Sequence, residues 1–135
     1  MSSDVFNKSL DFLLQSKIKQ IAVLGGEPTL HPDFITFMEM AMQTGFVVKL
    51  FTNGFIPENT LKYLTSISDD KINIVVNINN LTQDINKIPI QVKKTLTDLN
   101  KKVLPGFNIY DKDLQLNPLL ELIRTYNLKK KVRLD

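Results

Sequence analysis

The sequence predicts an α/β fold in which about five parallel strands alternate with helices. Segments rich in Val, Ile and Leu recur at a regular spacing, and nearly continuous apolar runs of this kind indicate strands buried on both faces. Helical patterns lie between these segments, which predicts βα units joined by right-handed crossovers in one parallel sheet. The predicted strands are residues 19–24, 47–51, 72–78, 103–110 and 131–134.

The first two helices are predicted from apolar stripes and from the residues at their ends. The first helix has Ser3 or Asp4 available as its N-cap. The second begins at Pro32, a residue suited to a first helical turn, and ends at Gly45. The predicted buried faces are Phe6, Leu10, Leu13 and Leu14 in the first helix and Phe34, Phe37, Met38 and Ala41 in the second.

The later elements follow the same pattern. The third helix opens at Pro57, and the fifth is capped by Asn117. Within the fourth strand, Pro105 and Gly106 interrupt the apolar run, which predicts a bulge or a late strand start. The predicted buried residues are Leu61 and Leu64 in the third helix, Val92, Leu96 and Leu99 in the fourth, and Leu119, Ile123 and Tyr126 in the fifth.

Composition limits the classes of function. The 135 residues are predicted to form a single domain spanning 1–135, with no signal peptide and no apolar run long enough for a membrane span, so we expect a cytoplasmic protein without a membrane partner. The chain has no cysteine and one histidine, which excludes disulfides and the usual zinc sites. The basic run Lys129-Lys130-Lys131 is interpreted as a solvated turn rather than a nucleic-acid patch, because no aromatic residues are interleaved with it.

The most informative stretch follows the first predicted strand and reads Leu24-Gly25-Gly26-Glu27-Pro28. Two glycines without Cβ atoms let a ligand approach the backbone closely, and Pro28 turns the chain out of the sheet. Open α/β sheets bind ligands at the carboxyl ends of their strands, which is where Glu27 is predicted to lie. The sequence therefore predicts a ligand site at this edge.

Period-two alternation divides the third strand into two faces. Its apolar face, which is predicted to pack on helices, consists of Ile72, Ile74, Val76 and Ile78. The other face includes Asn77 and Asn79, whose amides can both donate and accept hydrogen bonds. These asparagines are expected to form a polar rim at the carboxyl edge with the other strand ends, which carry Glu27, Thr52-Asn53, Asn108-Ile109-Tyr110 and Asp135.

The run resembles the Gly-Gly-Glu-Pro motif of radical S-adenosylmethionine (radical SAM) enzymes, and Phe51-Thr52-Asn53-Gly54 resembles the Thr-Asn-Gly that often closes their third strand. The resemblance implies a partial (β/α) barrel, an incomplete radical SAM core that lacks the first strand and the cluster loop. The family's Cys-x3-Cys-x2-Cys motif is missing from the chain. The implied cofactors are S-adenosylmethionine, bound weakly or not at all by this chain, and a 4Fe-4S cluster in the parent protein alone.

The resemblance also implies a set of site residues. Gly25, Gly26 and Glu27 would hold the methionine end of S-adenosylmethionine, with the Glu27 carboxylate accepting from its ammonium group. Asn77 or Asn79 would bind the ribose. The remaining implied site residues are Thr52 and Asn53 in the pocket floor and Arg133 toward a ligand carboxylate. No catalytic residue and no metal ligand is assigned.

Each assignment has a simpler structural alternative. Glu27 could cap the following helix or pair with a lysine, and Asn53-Gly54 is a common turn former. The arginine at position 133 could be a surface or salt-bridge residue. For His31, which precedes a proline at a helix start, a local hydrogen-bonding role is favoured over catalysis.

Two explanations fit the missing cysteines. Either the chain is a fragment of a radical SAM enzyme that reductively cleaves S-adenosylmethionine, or it is a non-catalytic α/β nucleotide-binding or interaction module. We favour the fragment, because truncation explains both uncovered sheet edges, and we expect the chain alone to be inactive. The uncovered edges also predict a homodimer.

Overall fold

The computed structural model describes residues 1–78, 85–108 and 116–134. The predictions for Asn79, Ile109, Tyr110 and Asp135 lie outside these residues. The described helices are α1 (Ser3–Gln15), α2 (Phe34–Gln43), α3 (Glu58–Ser66), α4 (Ile90–Leu99) and α5 (Asn117–Thr125). The strands are β1 (Gln20–Val23), β2 (Val47–Thr52), β3 (Ile72–Asn77), β4 (Val103–Phe107) and β5 (Arg133–Leu134), and short 3₁₀ turns occupy Pro28–Leu30, Ile85–Lys87 and Asn100–Lys102.

The strands form one parallel sheet in the order β1-β2-β3-β4-β5. Each strand lies beside its sequence neighbour, so right-handed crossovers carry every connecting helix to the same face of the sheet. This singly wound arrangement is that of a partial (β/α) barrel, and the predicted fold class is confirmed. In the described sheet, β1 and β5 are the edge strands.

The face of the sheet that meets the helices forms the core. The apolar side chains of β3 that alternation assigned to this face are 2% exposed or less, which confirms that prediction. The helices contribute the buried side chains expected of α2, α3 and α4, with Phe37 half-buried. The strand side chains that are fully enclosed here are Val48, Leu50, Ile74, Val76 and Val103.

The opposite side of the sheet is called the open face below. Several of its side chains are half-buried or exposed, among them Lys49 and Asn77. Strand pairing places the following residues on it: Gln20, Ala22, Val47, Lys49, Phe51, Asn73, Val75, Asn77, Leu104, Gly106 and Arg133.

The predicted interruption of the fourth strand is wrong. The β4 ladder runs in register through Pro105 and Gly106. The Gly106 carbonyl accepts from the Ile78 N–H at 3.0 Å, so this residue points its backbone toward β3 and the preceding proline points toward β5. Pairing with β5 starts only at Gly106, so the N–H that proline lacks is not needed by either neighbouring strand.

Several helix ends also differ from the predictions. Ser2, rather than Ser3 or Asp4, caps α1 by accepting from the Val5 N–H. Helix α2 begins at Phe34, because a 3₁₀ turn and a loop occupy the residues around Pro32. Asn117 is the first residue of α5 rather than its cap. Leu14, which was predicted to be buried, is 51% exposed because α1 is covered on one side only.

Candidate functional site

The turn after β1 presents bare backbone at the carboxyl edge of the sheet. Gly25 has φ of 154°, a conformation that side chains rarely adopt, and a Cβ at Gly25 or Gly26 would meet nothing within 4 Å. The space beside these peptide groups is therefore open to a ligand.

The Glu27 carboxylate joins this turn to the end of β2. Its Oε1 accepts from the Thr29 hydroxyl at 2.6 Å, from the Thr29 N–H at 3.3 Å and from the Thr52 hydroxyl at 2.8 Å. Its Oε2 accepts from the Asn53 N–H at 2.8 Å. Because each carboxylate oxygen has about two lone-pair sites, Oε1 is saturated and Oε2 keeps one site for a further donor.

The turn after β2 is fixed by its own side chains. The hydroxyl of Thr52, which is 5% exposed, accepts from the Gly54 N–H at 3.1 Å while it donates to Glu27. Asn53 Oδ1 accepts from the Phe55 N–H at 2.9 Å, a turn in which the side chain substitutes for backbone. Gly54 has φ of 87°, and a Cβ there would lie 3.1 Å from Val92 Cγ1. Both strand-end turns are therefore held in one arrangement with Glu27 between them.

A cleft of about 210 Å³ lies between these turns and the carboxyl ends of β3, β4 and β5. All five strands contribute to it, either directly or through the turns that follow them. Its wall combines bare peptide groups, amides, one guanidinium and apolar carbon. The lining residues are Gly25, Gly26, Phe51, Thr52, Asn53, Val75, Asn77, Gly106, Asn108 and Arg133.

The floor of the cleft depends on the absence of a side chain at Gly106. A Cβ at this position would lie 2.8 Å from Val75 Cγ1, a distance that would force the strands to shift. Gly106 is buried and pairs in register with Asn77 on one side and Arg133 on the other. Because Gly106 has no Cβ, the Val75 side chain can lie close to the β4 backbone at the floor of the cleft.

Two cations flank an aromatic ring on the open face. The Arg133 guanidinium carbon lies 4.5 Å from the centroid of the Phe51 ring, and Lys49 Nζ lies 5.3 Å from it. Each contact is within the range of a cation–π interaction. The ring thus holds the guanidinium against the wall of the cleft.

The structure brings most of the predicted site residues together. Glu27 is not in the lining but contacts two residues that are, and Asn79 lies outside the described residues. His31 accepts from the Asp33 N–H through Nδ1 at 3.1 Å, which confirms its local role. The predicted residues that share the cleft are Gly25, Gly26, Thr52, Asn53, Asn77 and Arg133.

Glu27 and Asn53 also have structural roles of the kind that the sequence allowed as alternatives to ligand binding. Glu27 does cap, but it caps the 3₁₀ turn Pro28–Leu30 rather than the following helix α2, and within the described chain it forms no pair with a lysine. Asn53 and Gly54 form the expected turn. These roles leave one lone-pair site on Glu27 Oε2 beside the turn after β2, and Asn53 itself lines the cleft.

Sequence reasoning did not assign Phe51, Val75 or Gly106 to the site, and it expected Asn108 only as part of the polar rim. The first two follow from period-two alternation, which places them on the same face as Asn77. Gly106 was interpreted as a break in the strand, although a glycine within a strand also indicates close approach of other groups. Asn108 follows a strand that ends at the same edge.

Comparison with solved structures identifies the fold. Over 95% of its length the chain matches Streptococcus suis SuiB, in a structure bound to S-adenosylmethionine, with a TM-score of 0.73 and 18% identity. SuiB is a radical SAM enzyme. Over this stretch the chain shares the fold of SuiB. A second SuiB structure, bound to the precursor peptide SuiA, matches over 91% of the chain with a TM-score of 0.68 and 20% identity.

This likeness has a defined extent. The chain spans 32% of SuiB in the first comparison, so it corresponds to about a third of that protein. No protein-family model and no curated protein matches the sequence. At these identities the comparison confirms the expected radical SAM-like fold, and function is argued from the site itself.

Proposed function

We propose that this chain contributes the S-adenosylmethionine-binding strand ends of a radical SAM core. The observation that carries the proposal is the convergence of the Gly25-Gly26 turn, the Thr52-Asn53 turn, Asn77 and Arg133 on one cleft at the carboxyl edge of a parallel sheet. Ligands bind at this edge in open α/β sheets. The cleft is smaller than the roughly 300–1,000 Å³ of most small-molecule sites, which suits part of a larger site.

The methionine end of the ligand is assigned to the first turn. The glycines allow the ligand to contact backbone without a side-chain clash. Glu27 accepts from the ligand's ammonium group through the remaining site on Oε2, while Oε1 stays bound to Thr29 and Thr52. The carboxylate therefore serves as both a scaffold and a ligand-binding group.

The other ligand groups are assigned to the later strands. Asn77, exposed at the end of β3, offers an amide that can donate to and accept from a ribose diol, and Asn79 is proposed for the same role. Arg133 carries a guanidinium that can bind the ligand carboxylate through two parallel hydrogen bonds. Thr52 and Asn53 line the cleft between these groups.

An iron-sulfur cluster does not fit the residues of this chain. The 135 residues contain no cysteine, so they supply no thiolate for a 4Fe-4S cluster. Any cluster would need ligands from outside these residues. We therefore propose that the chain binds S-adenosylmethionine weakly and does not catalyse its cleavage by itself.

Two asparagines on one strand provide the experiment. Asn77 lines the cleft, whereas Asn73 lies four residues earlier on the same face and outside it. Calorimetry with millimolar S-adenosylmethionine should show that Asn77→Ala weakens binding roughly tenfold, about the effect of losing one to two hydrogen bonds, while Asn73→Ala leaves binding unchanged. Equal effects of the two substitutions would contradict the assignment.

A non-catalytic nucleotide-binding module is the second candidate, and the missing cysteines favour it. Adenosine separates the two functions, because a nucleotide module should bind adenosine about as well as S-adenosylmethionine. A site built for the methionine end should prefer the complete ligand. Glu27→Ala should reduce that preference.

Three further properties remain proposals. The homodimer through the sheet edges and the cytoplasmic location are proposed from the sequence. The described helices include none with the length and apolar character of a membrane span.

Because SuiB binds a precursor peptide, we also propose a peptide as the class of substrate presented to the open face.

A further inference from the structure

The half of the open face farther from the cleft forms a second hollow with a basic rim. It measures about 510 Å³ and is lined by Asn73, Leu104, Lys129, Lys130 and Lys131. Lys49 pairs with Asn73 across β2 and β3, so it lies on the same face, half-buried beside Phe51. Three lysines therefore line the hollow, and Lys49 adds a fourth positive charge to the same face beside Phe51.

These lysines differ from several on the helical side. Lys8 pairs with Asp4 at 2.9 Å, and Lys94 pairs with Asp98 at 2.9 Å. Within residues 1–78, 85–108 and 116–134, neither Lys49 nor the 129–131 run has a carboxylate partner within 4.0 Å. The strand residues described on the open face also include no Asp or Glu. The described strand residues of the open face therefore supply no carboxylate to balance the positive charge of these lysines.

We propose that the open face binds an extended acidic peptide segment, with its carboxylates over the hollow at Asn73 and Leu104. This inference rests on the proposed function, which names a peptide as the occupant, and it adds that the peptide is acidic. From Asn73 to Asn77 the strand rises about 13 Å, so an extended peptide of four or five residues would reach from the hollow to the cleft.

The chemistry of the face favours a peptide over a simple anion. Val75 and Leu104 place apolar carbon between the lysines and the amide groups of the cleft. A peptide can offer apolar and acidic side chains in alternation, whereas an inorganic anion uses only the charge. A second copy of the chain is disfavoured as the occupant of this face, because the chain carries a net charge of +3 whereas the hollow attracts negative charge; the proposed homodimer would use the sheet edges instead.

The test measures binding of fluorescein-labelled peptides by fluorescence anisotropy to the full chain. The acidic peptide alternates Glu with Leu, and a matched neutral peptide has Gln at each Glu position. One variant replaces Lys129, Lys130 and Lys131 with Gln. The matched control replaces Lys8, Lys62 and Lys94 with Gln, which removes the same charge from the helical side.

The proposal requires that the acidic peptide bind and that the neutral one bind at least tenfold more weakly. The 129–131 variant should lose about tenfold in affinity for the acidic peptide, as expected for three partly exposed charge contacts, and added salt should reduce the difference. The helical-side variant should bind like wild type. Equal losses in both variants, equal binding of the two peptides, or tighter binding of a single-stranded RNA of the same charge would overturn it.

A separate readout distinguishes this inference from the proposed function. Calorimetry with S-adenosylmethionine should give the same affinity for the 129–131 variant as for wild type, because those lysines lie outside the cleft. Binding of the acidic peptide without any binding of S-adenosylmethionine would refute the proposed function alone. Binding of S-adenosylmethionine without the acidic peptide would refute this inference alone.

Discussion

Removing one hydroxyl from the joint between the two strand-end turns should destabilise the whole domain. Thr52→Val keeps the shape of a side chain that is 5% exposed, but it deletes a donor to Glu27 Oε1 at 2.8 Å and the acceptor of the Gly54 N–H at 3.1 Å. The carboxylate then keeps its contacts with Thr29 and Asn53 only.

The magnitude follows from the two lost hydrogen bonds. A hydrogen bond to a charged group contributes about 1.5–3 kcal/mol, and a buried N–H left without an acceptor costs about 1–3 kcal/mol. The methyl group that replaces the hydroxyl is apolar and buried, which offsets part of the lost hydrogen-bond energy. We therefore expect a loss of about 3 kcal/mol in the free energy of unfolding. For 135 residues this corresponds to a decrease of about 10 °C in Tm.

Urea unfolding followed by far-UV circular dichroism measures the effect, since the chain has no tryptophan. Thr95→Val is the matched control. The Thr95 hydroxyl is fully buried and has no hydrogen-bond partner within the described residues. The same chemical change should therefore stabilise the protein there, by about 1 kcal/mol. A Thr52→Val variant as stable as Thr95→Val would refute the role given to the Glu27 joint.

The remaining predictions concern the cleft floor and one buried phenol. Gly106→Ala should cost about 1–3 kcal/mol of unfolding free energy, because its Cβ would lie 2.8 Å from Val75 Cγ1, whereas Gly26→Ala should leave stability unchanged and weaken S-adenosylmethionine binding in calorimetry. The reverse order of stabilities would contradict the description of the floor. Burial, with a smaller contribution from Glu39, raises the pKa of Tyr63 to about 12 from 10.0. Between these pH values the unfolded chain has released a proton that the folded chain retains, so the free energy of unfolding should fall as pH rises. Tyr63→Phe should reduce that slope in urea titrations, and an unchanged slope would exclude Tyr63 as its source.

Local sequence patterns were sufficient to predict the order of the elements and their parallel pairing. Alternation in β3 correctly separated the core-facing side chains from Asn77. The sequence also predicted that α2 ends near Gly45, because glycine commonly follows a helix end. These features depend on residues close together in the chain.

Features that depend on distant neighbours could not be predicted in the same way. The Pro105-Gly106 pair appeared to break a strand, since only the position of β5 shows that the missing proline N–H is not needed. For Glu27, the sequence offered a choice between a ligand-binding and a capping role. The contacts with Thr52 and Asn53, across 25 and 26 residues of sequence, show that its carboxylate first of all joins two turns.

The central claim is that the carboxyl-edge cleft binds S-adenosylmethionine. Mapping amide chemical shifts during a titration with millimolar S-adenosylmethionine tests it directly, because this measurement detects weak binding and locates it. We expect the largest changes at Gly25, Gly26, Asn53 and Asn77, with none at Gly45, which lies outside the cleft. Absence of any change, or changes centred away from the cleft, would contradict it.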